Sequence, residues 1–299
     1  MVLSGGDQLR YRLVGAGSDT VVVVPGGPGL GDRYLESALG ELGRTHLMVF
    51  YDPRGRGRSP VAQHPDSFSL AQDAADLTAL HDALHLGRVG LIGHQWGTGV
   101  VLRFALEHPA AVSRVVLLGP MAHRQDFIFE LSILPNNSAS LARHVTARVA
   151  KLDSLDPTAY CRGFWGFAFS PVEETSETVV QALAPDICAD PPDRLRQRES
   201  IQRQFYLGMP GWNWTDSIPG LTRPTLVLMG DAVPALVAGA KAWAGRLPDG
   251  RLLITHGSAL FPWVDDRGAV ESAVGEFLRG VWPVGAEVIR TPPDIAYHS

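Results

Sequence analysis

The chain is poor in cysteine: Cys161 and Cys188 are the two in 299 residues. They stand in no C-x-x-C pair and no histidine-flanked spacing, so neither a sequence-local zinc site nor a redox motif is on offer. Two thiols so placed are expected to be free, in a reducing compartment. Charge of one sign is also lacking. With 26 Lys and Arg against 31 Asp and Glu the formal net charge is -5, and the charges are scattered, which leaves no basic stripe for nucleic acid. Long apolar runs are missing too. The first of them, 21–24, is far too short to span a bilayer. The first ten residues lack the charged-then-apolar layout of a signal peptide. The expectation is therefore a cytoplasmic protein with no nucleic-acid or membrane partner. What the chain does have is 45% hydrophobic residues and 32 glycines, enough for one large core or a core with a smaller appendage.

Short apolar runs alternate with helical patterns. The segments 21–24, 46–51, 89–92, 115–118, 225–229 and 252–255 are rich in Val, Leu and Ile, as in strands buried on both faces of a parallel sheet. Leu70, Ala74, Leu77, Leu80 and Leu84 mark one helix face, and Ser69 with Gln72 offers a capping box at its start. The pattern predicts a doubly wound α/β fold, in which active groups gather at the carboxyl ends of the strands. Alternation stops over 121–220, a stretch rich in Trp, Phe and Pro. It reads as an inserted helical lid, with 1–120 and 221–299 as the core.

Three local signatures fall on this frame. Pro25-Gly26-Gly27-Pro28-Gly29 follows a Val-rich strand, and Tyr51-Asp52-Pro53-Arg54-Gly55-Arg56-Gly57-Arg58-Ser59 follows the next. The third, Gly93-His94-Gln95-Trp96-Gly97, has the glycine spacing of a G-x-S-x-G nucleophile elbow with Gln95 in the serine's place. In order and together they resemble the α/β-hydrolase superfamily, in particular its proline iminopeptidase-like branch, with its HGGPG oxyanion loop and YDxRGxGxS segment. The resemblance implies an acid three residues past the glycine ending a late strand, and a histidine in a G-x-G-H loop after the last. Val233 occupies the first position and Leu260 the second, where Gly257-Ser258-Ala259-Leu260-Phe261-Pro262-Trp263 matches the family's GxGHxPW stretch. Nucleophile, orienter and base of the triad are thus replaced together by Gln95, Val233 and Leu260.

The frame that remains implies an oxyanion hole formed by the backbone N–H of Trp96 and one from Gly26 or Gly27, with Gln95 adding a donor or acceptor. A plug that fills the old serine site is the plainer role for Gln95. His256 and Asp231 end neighbouring strands and are candidates for a displaced acid/base dyad. His94, beside the elbow, is read as packing beneath it or lining the ligand site. Tyr34 is a candidate donor to a substrate oxygen, and Asp52 with Arg54 a loop brace. Among the lid aromatics Phe164, Trp165, Phe167, Phe169, Tyr206, Trp212 and Trp214, we take Trp165 and Trp212 as pocket walls for a flat ligand. The expected function is non-hydrolytic: a cyclase, lyase or isomerase that polarises the carbonyl of an apolar, polycyclic small molecule such as a specialised-metabolite intermediate, with no cofactor and no metal. Two alternatives stand beside it. One is a ligand-binding pseudoenzyme; the other is a hydrolase with displaced groups, using Ser258 or a water activated by His256 and Asp231.

Overall fold

The computed structural model describes residues 7–60, 62, 68–124, 155–169, 176–190, 193–195, 201 and 212–290. Seven strands form one sheet in the order β1-β3-β2-β4-β5-β6-β7: β1 Arg10–Val14, β2 Thr20–Val24, β3 Leu47–Asp52, β4 Val89–Gln95, β5 Val112–Pro120, β6 Thr225–Gly230 and β7 Gly250–Thr255. All neighbours are parallel except β1, which runs antiparallel to β3. The helices are α1 Arg33–Leu39, α2 Leu70–Ala83, α3 Trp96–Glu107, α4 Pro157–Phe169, α5 Ser176–Ile187, α6 Pro234–Ala244 and α7 Arg267–Leu278. The six Val- and Leu-rich runs are the six parallel strands, and this is the α/β-hydrolase fold. Their side chains are buried because α-helices cover the sheet. Strand β1 escapes the apolar-run criterion because it is an edge, exposed along most of its length.

Helix α2 begins as its sequence directs: the Ser69 hydroxyl accepts from the Gln72 N–H at 3.1 Å. The reciprocal half of the capping box is absent, since the Gln72 side chain donates to Asp76 instead. The segment after β3 is braced by arginine–carboxyl contacts. Arg54 binds Asp76 and Asp7, Arg56 binds Asp73, and Arg58 bridges Asp52 and Asp32. Asp52 and Arg54 are therefore both loop braces, but not to one another, because each meets a nearer opposite charge.

Between β5 and β6 the described residues include α4 and α5, joined by a disulfide between Cys161 and Cys188. This corrects the expectation of two free thiols. Helix pairing brings the two Cα atoms to 5.8 Å, within disulfide reach, and no sequence spacing foretells that approach. The reason for assigning a reducing compartment goes with it. No helix among the described residues is long and apolar enough to cross a membrane. Where the chain leaves β5 and returns toward β6, three successive carbonyls are held. Met121 O accepts from Trp243 Nε1 at 2.8 Å, Ala122 O from Trp212 Nε1 at 3.0 Å and His123 O from Trp214 N at 2.8 Å. The Trp214 ring lies over Gly99, where a Cβ would stand 2.5 Å from it.

Asp32 is wholly buried beside Asp52, and its Oδ2 has no hydrogen-bond partner among the described residues. Burial first, and the Asp52 charge second, push its pKa up to about 8, against an opposing pull from Arg58. Folded Asp32 thus keeps a proton that the unfolded chain releases near 3.8. The folded state binds more protons between those values, so the stability from this site falls as pH rises from about 4 to about 8. Asp32→Asn, which imitates the protonated form, should flatten that decline: urea unfolding at pH 4 and pH 8 should show a gain over wild type at the higher pH and little difference at the lower.

Candidate functional site

Strand β4 hands over to α3 at Gln95, whose backbone sits at φ +44° and ψ -110°. This is the strained strand-to-helix turn of a nucleophile elbow, and the pairing of β4 with β5 shifts register between His94 and Gln95. Glycine makes the turn possible. A Cβ on Gly97 would stand 2.4 Å from Val24 O, and one on Gly93 would stand 2.6 Å from Gly97 O. The Thr98 hydroxyl donates to Gln95 O at 2.5 Å and locks the first helical turn. The Gln95 side chain is only partly buried, and its amide makes no hydrogen bond among the described residues. It is not a plug bonded to neighbouring backbone.

Beneath the elbow runs a closed relay. Gly26 N–H donates to Tyr34 Oη at 2.9 Å; Tyr34 Oη and His94 Nδ1 are 2.7 Å apart; His94 Nε2 lies 2.9 Å from Leu260 O. A carbonyl only accepts, so Nε2 carries the proton, Nδ1 accepts from the phenol, and the phenol oxygen accepts from Gly26. Burial pulls the His94 pKa down to about 3 and raises that of Tyr34, so both stay neutral. Two assignments, Tyr34 and Gly26, are corrected here, and His94 takes the first of its two readings, packing beneath the elbow. Tyr34 and His94, 1% and 0% exposed, hold the frame and do not reach a ligand, because every polar atom of each is already paired within the core. The Gly26 N–H is spent on Tyr34 and is not an oxyanion donor. Gly27 remains in the loop at φ +112°.

The loop after β7 crosses the carboxyl edge of the sheet. Gly230 N–H donates to Ala259 O, a Cβ on Gly119 would touch Leu260 O at 2.4 Å, and His94 holds that same carbonyl. Leu260 is thereby delivered to the elbow, where the resemblance puts a histidine, and its side chain is buried. Val233 is buried as the residue preceding α6. Trp96 is buried with its indole N–H on Asp73 Oδ2 at 2.8 Å, a contact that no sequence pattern announces.

His256 and Asp231 do meet, with Nδ1 to Oδ2 at 2.7 Å, and Gly257 N–H donates to Asp231 Oδ1 at 2.9 Å. These two bonds, the Gly257 donor first, hold the Asp231 pKa below its ordinary value. The pair is open to solvent. Ser258 is 1% exposed and its Oγ has no partner among the described residues, so it makes no bond with the dyad. A displaced serine nucleophile would lack its base. Trp165 is buried against Phe164 at 5.3 Å between ring centres. The Trp212 indole belongs to the neck between β5 and β6. The side chains of Phe167, Phe169 and Tyr206 lie outside the described residues. No cluster of three His, Cys, Asp or Glu able to hold a metal occurs among the described residues.

A mostly parallel sheet, a positive-φ elbow and a loop crossing to it define the class, and the comparisons agree. Residues 19–259 match the alpha/beta hydrolase fold family, and the chain belongs to it. A proline iminopeptidase of Clostridioides difficile is 24% identical over 291 residues, covering 91% of this chain and 95% of that protein. A 2-hydroxy-6-oxo-2,4-heptadienoate hydrolase of Pseudomonas putida is 34% identical over 120 residues, covering 40% of this chain and 43% of that protein. Three relatives at 32–34% identity are matched over 43–52% of their own length, so the chain spans about half the length of these relatives. The structure of a thermophilic esterase from Thermogutta terrifontis superposes with a TM-score of 0.66 at 22% identity, covering 93% of this chain and 95% of that one. These proteins are hydrolases, which overturns the expectation of a non-hydrolytic cyclase, lyase or isomerase. That expectation took the missing serine for a change of reaction class, whereas the relatives point to hydrolysis.

Tyr34→Phe would leave the Gly26 N–H and His94 Nδ1 both buried and unpaired. At about 1–3 kcal/mol for each stranded group, the variant should lose roughly 3 kcal/mol in urea unfolding.

Proposed function

We propose that this protein hydrolyses an acyl-type carbonyl compound, an ester, lactone or amide, by direct attack of water and without an acyl-enzyme, using displaced groups. The observation that carries this reading is the His256–Asp231 pair on the carboxyl edge of the sheet. Asp231 is held as a carboxylate and can only accept, so His256 Nδ1–H is the donor and Nε2 is the ring nitrogen left to act on a water, the arrangement a general base requires. Membership of the hydrolase-fold family and the hydrolases among its relatives support the reaction class. Three strand spacings, about 14 Å, separate the elbow on β4 from the end of β7. The scissile carbonyl therefore lies toward β6 and β7, and the elbow holds the far end of an elongated, neutral small molecule. We take 121–220 as the lid of this site and 1–120 with 221–299 as its core.

A second reading is a binder without turnover. It is favoured by Val233 and Leu260, both buried and apolar, which leave no orienter or base at the positions the fold provides. A panel of p-nitrophenyl esters, lactones and anilides decides between the two. The hydrolase reading expects turnover, a fall of about 100-fold in kcat for His256→Ala, and no labelling by a fluorophosphonate. Turnover that survives His256→Ala removes the dyad, and labelling restores a nucleophile. No turnover on any substrate leaves the binder.

A further inference from the structure

We infer that Gln95 makes the elbow a reader of the lactam or secondary cis-amide group, a neutral ligand edge that presents a carbonyl beside an N–H. The inference rests on the reading of the elbow as the seat for one end of the substrate. Four observations carry it. The Gln95 amide is unpartnered among the described residues and partly open to solvent, so its hydrogen-bonding capacity is unspent. The backbone holds it at φ +44°, at the strand-to-helix turn where the motif resemblance puts a nucleophile. Among the described residues, the titratable side chain directly beneath the elbow, His94, is held neutral by burial. The loop from Gly26 abuts the Gln95 Cβ, since a Cβ on Gly26 would lie 3.0 Å from it, and this limits the directions the amide can take.

A primary amide offers a donor and an acceptor side by side in one plane, whichever way the group is turned. Its full complement is a ligand edge with an acceptor and a donor side by side. A lactam or secondary cis-amide has that edge. An ester, lactone or ketone has acceptors alone, and on binding it would strip water from Gln95 Oε1 without replacing the bond. With no cation among the residues named at the elbow, an anionic carboxylate gains no ion pair there. Discrimination therefore runs toward the neutral amide by the value of one hydrogen bond, about tenfold in Kd.

The test uses the whole chain and an isosteric pair, 3,4-dihydro-2-quinolinone and dihydrocoumarin, which differ by N–H against ring oxygen. N-methyl-dihydroquinolinone serves as the donor-blocked control. Titration calorimetry should give the lactam a Kd at least about tenfold below those of the lactone and the N-methyl compound. The advantage should shrink to within about twofold in Gln95→Leu, which keeps the side-chain length and removes the polar edge. Equal affinities in the wild type, absence of saturable lactam binding, or an advantage that survives Gln95→Leu each overturn the inference. The wild-type ratio needs no variant and so does not depend on how Gln95→Leu folds. Ring opening of dihydrocoumarin, followed in the same samples, separates this inference from the hydrolase reading. Opening without a lactam preference sinks the inference alone; a lactam preference without any opening on the full substrate panel sinks the hydrolase reading alone.

Discussion

His94 is the joint on which the carboxyl edge of this sheet depends. Its two ring nitrogens are satisfied by groups 60 residues before it and 166 after it, so one side chain ties α1, the glycine loop after β2 and the loop after β7 to the end of β4. The joint works only while the imidazole is neutral, because a cation would turn Nδ1 into a donor facing the phenol. Burial keeps it neutral, with a pKa near 3. Proton placement then follows from a single fact, that Leu260 offers a carbonyl and nothing else. The same relay that holds the frame withdraws Gly26 from any part in ligand binding.

Close backbone approach adds a second constraint. Gly97 sits against Val24 and Pro25, Gly119 against Leu260, and Gly230 against Ser258. At each of these a side chain would collide with main chain, which cannot yield as a flexible side chain can. The strand ends and the crossing loop are thus locked in depth by glycine and in register by the relay. Trp212, Trp214 and Trp243 do similar work at the neck between β5 and β6, where their N–H groups saturate three consecutive carbonyls. Of the aromatic residues read as pocket walls, Trp212 spends its indole N–H on the backbone at this neck.

Much of this was legible in the residues. Doubly buried parallel strands announce themselves as Val and Leu runs, the elbow and the two glycine-rich motifs announce the family, and the meeting of His256 with Asp231 follows from adjacent strand ends. Three things were not legible, for separate physical reasons. Strand β1 is an exposed edge and carries no apolar run. The Cys161–Cys188 bond depends on how two helices pack, which local spacing does not encode. Tyr34 and His94 are polar and lie near catalytic-looking motifs, and only the fold reveals that their hydrogen bonds close on one another below the surface.

Gln95 is the residue where folding and function part company. A turn at φ +44° costs a side-chain-bearing residue of order 1 kcal/mol or more, and glycine would relieve it. Folding alone therefore gives no reason for glutamine here. Nor does local satisfaction, since the amide bonds to nothing among the described residues. A serine would explain the strain as the cost of presenting a nucleophile, and glutamine retains that cost without the nucleophile. What is left to balance it is a partly exposed amide, unpaired among the described residues, beside a neutral and buried His94. On the proposed reading the scaffold still presents one side chain at the elbow, now for recognition, while the proton chemistry has moved along the sheet edge to Asp231 and His256.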